Sequence, residues 1–148
     1  MTLLTHRGEG ASFPYVGQPM HILAGQAAQP PGFAAMEISV PARFGGPIPH
    51  AHGEFDEAIY VLTGRLTVGG QGELEEARPG SMFVAPRGQR HAFSNPFDEP
   101  ALVLGLWGPP EPALAFMRDV GAALRPDAPP DPDQMRDIYE RHASRLLP

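Results

Sequence analysis

Turn punctuation constrains this chain most: 19 Pro and 17 Gly are scattered between short apolar runs along 148 residues. Spread in this way, they mark turns, and many short segments cut by turns favour an all-β chain. In "FAAMEISV" (33–40) the period is that of a strand, with Met36, Ile38 and Val40 on one face and Glu37 and Ser39 on the other. "MHILAG" (20–25), "EAIYVLTGRLTV" (57–68, with a bend expected at Gly64), "SMFVAP" (81–86), "RHAFSN" (90–95) and "ALVLGLW" (101–107) continue the series, and "GELEEARPG" reads as a polar strand and turn. Residues 1–18 are expected to form an arm or an irregular first strand. At least seven short strands imply a sandwich or a small barrel.

The pattern changes after Pro110. "EPALAFMRDVGAAL" (111–124) puts Leu114, Met117, Gly121 and Leu124 at helical spacing, with Pro112 in the first turn. A second helix is expected to start at Asp131, with Pro132 behind it and Gln134 in the capping position, and to present Met135, Ile138, Tyr139, His142 and Leu146 on one face. These elements divide the chain into a β-barrel domain with its N-terminal arm (1–110) and a helical extension (111–148) packed on the barrel, because so short an extension buries too little to stand alone.

The charge balance narrows the chemistry. A net charge of −6 argues against a nucleic-acid partner. All eleven basic residues are Arg, so lysine Schiff-base chemistry is excluded, and with no Cys there are no disulfides, thiolate nucleophiles or Cys-held metals. The first ten residues lack the pattern of a signal peptide and no apolar run approaches a membrane span, so a cytoplasmic location without a membrane partner is expected.

Against this background "HAHGEFDE" (50–57) stands out. In a strand, residues i and i+2 face the same way, so His50 and His52 present two imidazoles to one side, about 6–7 Å apart at the backbone. Glu57 lies five positions after His52, an odd offset, so "GEFD" must turn the chain for Glu57 to face the same site. His91, after the turn-forming Pro86 and Gly88, offers a third imidazole. Three His and one Glu make a mixed N/O set for one divalent transition metal: Fe, Mn, Ni, Co or Cu, with Zn also admissible. Glu54 and Asp56 read as solvated turn residues, Asn95 as a turn stabiliser, and His6, His21 and His142 have no partner set.

Both stretches resemble the two motifs of the cupin superfamily. "HAHGEFDEAIYVLTG" has HxH, four residues, Glu, six residues, Gly; "GSMFVAPRGQRHAFSN" matches Gly80, Pro86, Gly88, His91 and Asn95, with fifteen residues between Gly64 and Gly80. The leading Gly of the first motif is displaced, since Gly45 and Gly46 sit one or two residues too close to His50. The resemblance implies a cupin barrel (a double-stranded β-helix, jelly-roll-like) with a single metal held by His50, His52, Glu57 and His91, to which the period of 111–148 adds two C-terminal α-helices.

With its helical tail, the single motif pair further resembles the quercetinase-like monocupins. That resemblance implies a metal-dependent dioxygenase acting on a small aromatic or enol-type molecule, with Glu57 as both ligand and catalytic base. A non-redox isomerase or lyase, or a binding protein without turnover, are the competing expectations. Met36, Ile38, Phe44, Ile59, Phe93, Leu104 and Leu106 are core candidates and candidates for the substrate pocket. Arg43, Arg87 and Arg90 lie near the rim by sequence and could receive a carboxylate instead. Edge strands that need protection, together with the family resemblance, lead to the expectation of a homodimer, with residues 1–18 able to lie across a partner.

Overall fold

The computed structural model describes residues 4–27 and 29–148, so residues 1–3 of the expected arm lie outside it. Ten strands come first: β1 (Ser12–Tyr15), β2 (Gln18–Ala24), β3 (Ala34–Val40), β4 (His50–His52), β5 (Asp56–Thr63), β6 (Leu66–Gly69), β7 (Glu75–Ala77), β8 (Met82–Ala85), β9 (Ala92–Ser94) and β10 (Ala101–Gly108). Then follow α1 (Pro110–Ala123), α2 (Pro132–Arg141) and a last strand, β11 (Ser144–Leu146). No described helix is long and apolar enough to cross a membrane.

One six-stranded antiparallel sheet runs β1-β2-β3-β10-β5-β8. Across the core lie a three-stranded sheet, β7-β6-β9, and a two-stranded one, β11-β4. Those two are joined where His50 and His91 exchange backbone hydrogen bonds, His50 N–H to His91 O at 3.0 Å and His91 N–H to His50 O at 2.8 Å. The expected strand over 57–68 is divided at Gly64, which has φ 75° and separates β5 from β6. The period of two decides what faces inward: β5 buries Glu57, Ile59 and Val61, and β10 buries Ala101, Val103, Gly105 and Trp107.

Residues 12–15 do not form a free arm. They make a hairpin with β2, Tyr15 opposite Gln18, and Arg7 reaches back to pair with Glu37 at 2.6 Å. The first helix begins at Pro110, one residue before the expected start, and Asp131 caps α2 as expected by accepting from the N–H groups of Asp133 and Gln134. The buried face of α1 is Ala113, Phe116, Met117, Val120 and Gly121; of the expected stripe Met117, Gly121 and Leu124 are buried, and only Leu114 is partly exposed.

The second helix stops short of its expected end. It closes at Arg141; His142 then caps it and Ala143 takes φ 51°, which reverses the chain. Leu146 is therefore not on a helical face with Met135, Ile138 and Tyr139, but in β11, opposite His50. The short strand β4 offers an open edge, and pairing that edge satisfies backbone groups on both strands.

Candidate metal centre

Three histidines from different elements converge. The side chains of His50 and His52 leave β4 on the same side, and His91 stands opposite His50 just before β9. Their ligand atoms all lie within 4.8 Å of one another, and all three residues are buried. The turn before β9 places His91: Gly88 has φ 80°, a conformation that side chains other than Gly adopt at a cost, and its N–H donates to the carbonyl of His52 at 2.6 Å.

Glu57 enters from β5, the first inward residue of that strand. Its Oε2 lies 3.3 Å from His52 Nε2 and 3.7 Å from His91 Nε2. Phe55 makes the required turn in "GEFD": fully buried, it stacks on the His52 ring at 4.3 Å and anchors the turn to the core. Glu54 and Asp56 stay outside; Asp56 takes a hydrogen bond from Arg87 Nη2 at 2.9 Å.

Behind the site sits a residue that sequence reasoning treated only as the end of a strand. Trp107 is the cross-strand partner of Glu57, and its indole N–H donates to Glu57 Oε2 at 2.9 Å. Gly105 makes this possible: a Cβ there would lie 1.9 Å from the indole ring, which folds back over the glycine. The sequence shows only a tryptophan two residues after a glycine; that both face inward is a fact of the structure.

Each imidazole is held by its outer nitrogen. His50 Nδ1 meets the carbonyl of Ile48 at 2.8 Å, His91 Nδ1 that of Gln89 at 3.1 Å, and His52 Nδ1 the hydroxyl of Ser144 at 2.8 Å. The inner nitrogens of His52 and His91 are buried without any hydrogen-bond partner. Orphaned polar atoms of this kind are rare in folded proteins, and a cation between them would satisfy both. With Nδ1 anchored and Nε2 free, the donor set suits a divalent transition metal, which three buried His can hold.

Electrostatics agree with this arrangement. Burial, followed by the charges of His91 and His52, lowers the pKa of His50 to about 3, so the ring is neutral at physiological pH. Burial by itself would raise the carboxyl of Glu57, but the His52 and His91 rings beside it hold it well below the usual range. Burial also pulls His91 down, and the Glu57 carboxylate more than offsets this.

The site opens onto a cavity between the sheets. Its wall includes His50, His52, Glu57 and Trp107 and is otherwise apolar except for Tyr15 and Tyr139. Of the expected pocket residues, Ile38, Ile59 and Phe93 border it, while Met36, Phe44, Leu104 and Leu106 do not. Leu104 and Leu106 fall on the face of β10 opposite Val103 and Trp107, Met36 is core, and Phe44 bridges to Asn95. Phe116, Met117 and Val120 of α1 and Tyr139 of α2 form the lid, which the sequence did not mark as part of the site. Only about 30 Å³ is open to the centres of water-sized molecules, room for a water or two or an ion.

No arginine lines this cavity. Arg43 bonds Asp98 and the carbonyl of Pro96, Arg87 bonds Asp56, and Arg90 bonds the carbonyls of Leu147 and Gly70 at 2.7 Å each. Asn95 holds its turn as expected, donating to Glu99 O at 2.8 Å, and His142 Nε2 ties α2 to Asp119 of α1 at 2.7 Å.

The architecture is the cupin fold, an all-β barrel of the jelly-roll kind with two C-terminal helices, and a cluster of buried histidines lies within it. Residues 36–107 match the family model described as "Cupin domain". Among curated proteins the chain is similar to germin-like protein subfamily 2 member 3 of Arabidopsis thaliana, 36% identical over 92 residues, which covers 59% of this chain and 41% of that protein's length. Among solved structures it is similar to KdgF from Halomonas sp. (25% identity, TM-score 0.61, 74% of this chain and 94% of that one). It is also similar to the polyketide cyclase RemF from Streptomyces resistomycificus (26% identity, TM-score 0.60, 73% and 80%).

Proposed function

We propose that the chain is a metal-dependent enzyme acting on a small neutral enol- or phenol-type molecule, with dioxygenase chemistry as the leading reading. The observation that carries it is the wall of the cavity: a single carboxylate beside two imidazoles of the three-histidine cluster, two phenols, no cationic side chain, and apolar surface elsewhere. An anionic substrate would find no guanidinium to receive it, since each rim arginine is already paired.

His50, His52, Glu57 and His91 would hold the ion. Lewis-acid polarisation of a substrate oxygen, and redox chemistry with dioxygen for Fe, Mn, Ni, Co or Cu, is what such an ion supplies when bound. Glu57 is the only carboxylate in the cavity wall, and it takes the proton of the substrate hydroxyl. Burial and the nearby Glu57 charge push the Tyr15 phenol up; burial, Tyr15 and Glu57 do the same to Tyr139. Both phenols therefore keep their protons and offer O–H donors to a substrate oxygen. Ile38, Ile59, Phe93 and Phe116 exclude water. A substrate larger than two waters enters only when the side chains of the lid give way.

A second reading is a non-redox cyclase, isomerase or lyase in which Glu57 moves the same proton and no oxygen is consumed; the likeness to a polyketide cyclase favours it. An oxygen electrode separates them. Protein loaded in turn with Fe, Mn, Ni, Co and Cu, and offered flavonols, catechols and diketones, is expected to consume oxygen in step with substrate loss. Substrate loss without oxygen uptake selects the second reading, and ligand-induced stabilisation with no product selects a binding protein. The homodimer belongs to the same proposal, since β1 and β8 are the outer strands of the six-stranded sheet. A monomer mass in light scattering at micromolar concentration would remove it.

A further inference from the structure

Ser144 holds one of the three imidazoles, and it does so from the far side of the chain. His50 and His91 are anchored by carbonyls two residues away in their own loops. A carbonyl only accepts, so in both rings Nδ1 carries a proton, and in the neutral ring Nε2 is the nitrogen that keeps its lone pair. His52 is anchored by a hydroxyl 92 residues later. Because a hydroxyl both donates and accepts, it does not by itself fix the tautomer.

The second contact of Ser144 does so. Its Oγ lies 3.4 Å from the carbonyl of His142, which takes the hydroxyl proton. The oxygen lone pair is then left to accept Nδ1–H of His52, and Nε2 of His52 faces the site unprotonated. The backbone clamps this geometry: Ser144 is in register with His52, Gly53 N–H donates to Ala143 O at 3.0 Å, Leu147 N–H to Pro49 O at 2.7 Å, and Arg90 Nε to Leu147 O at 2.7 Å.

We propose that Ser144 is a positioning residue for the metal centre, and that occupancy of the centre and docking of β11 are coupled. This rests on the metal reading above. Reciprocity is required by thermodynamics: if docked β11 tightens the ion, the ion tightens β11 by the same factor.

Cobalt(II) is the probe. Metal-free wild type, Ser144→Ala and Ser144→Thr are titrated with it, and the visible absorption bands of the bound ion and the fluorescence of the single tryptophan are followed. Ser144→Ala is expected to weaken cobalt binding by about 10–100-fold, the usual effect of losing a partner that orients a ligand. Ser144→Thr, which keeps the hydroxyl, is expected to restore it, with the far-ultraviolet circular dichroism of all three alike. A purely structural serine would shift the melting temperature without this split between Ala and Thr. In the wild type, which needs no variant to fold, cobalt is expected to slow hydrogen exchange in 144–147. Equal cobalt affinity in Ser144→Ala, or exchange in 144–147 that ignores cobalt, overturns the coupling and leaves the metal reading standing. A wild type that shows neither bands nor quenching overturns the metal reading itself.

Discussion

Trp107 and Glu57 face each other across β10 and β5, and the indole N–H donates to the carboxylate oxygen that lies nearest His52. The bond fixes which oxygen of Glu57 faces the imidazoles. Trp107→Phe keeps the ring and removes the donor. For a buried hydrogen bond to a charged group this should cost the metal-free protein about 1.5–3 kcal/mol. Most of that cost should vanish in a Glu57→Ala background, so urea unfolding of the four proteins in the cycle is expected to give a clear coupling energy. Additive effects would show that the bond contributes nothing.

The same tryptophan is the only one in the chain. Its position beside the centre makes its fluorescence a local reporter, because open-shell ions quench nearby excited indoles. Copper, cobalt and nickel are each expected to quench it at one equivalent. In His52→Ala/His91→Ala the quenching and the bound metal should both disappear. Unchanged metal content per chain in that double variant would sink the ligand assignment.

Glu57→Gln separates charge from shape. The amide keeps the size and one weak oxygen donor but cannot take a proton. If Glu57 is a base, the variant retains much of its metal and loses turnover by about 10²–10⁴. A fall in turnover that only tracks metal occupancy assigns Glu57 to structure. Phe55 anchors the turn before it, so any movement of Glu57 comes from its own side-chain torsions, not from a loose loop.

The stability of the metal-free protein should peak near the ordinary histidine value. Between 6.5 and about 3 the unfolded chain takes a proton that native His50 refuses, so stability is lost as pH falls through that window. Glu57 adds to this loss below its ordinary 4.5, because its native value is depressed and the unfolded chain is protonated first. His91 has the opposite sign: its native value is raised above 6.5, so its contribution is present below 6.5 and is lost as pH rises through the native value. Each group contributes a slope of up to about 1.4 kcal/mol per pH unit within its window. Urea unfolding at steps across the acid and neutral range checks it; a flat profile would contradict all three assignments.

Much of this was legible in the residues. Alternation in "FAAMEISV" marked β3, Gly64 marked the break between β5 and β6, and Asp131-Pro132 marked the start of α2. The spacing of His50, His52, Glu57 and His91 fixed which side chains meet, because a strand face and a turn admit few alternatives. The phase of β10 was hidden. "ALVLGLW" is apolar at every position, so nothing in it says that Val103 and Trp107 face in and Leu104 and Leu106 out. Ser144 and β11 were hidden for another reason: "HASRLLP" continues a helical period, and only the open edge of β4, a tertiary fact, draws it into a strand.

The pairing of β11 with β4 also sets an order of events. Glu57 and the two histidines of β4 leave the ribosome early, His91 and Trp107 later, and the hydroxyl that supports His52 after all of them. Until then a half-made chain can offer an ion little more than an isolated pair of imidazoles, a weak chelate with no fixed geometry. If the centre takes an ion as proposed, loading follows as a late step of maturation, after β11 has docked. On that reading, a chain completed without the ion is the vacant form that the ion would load.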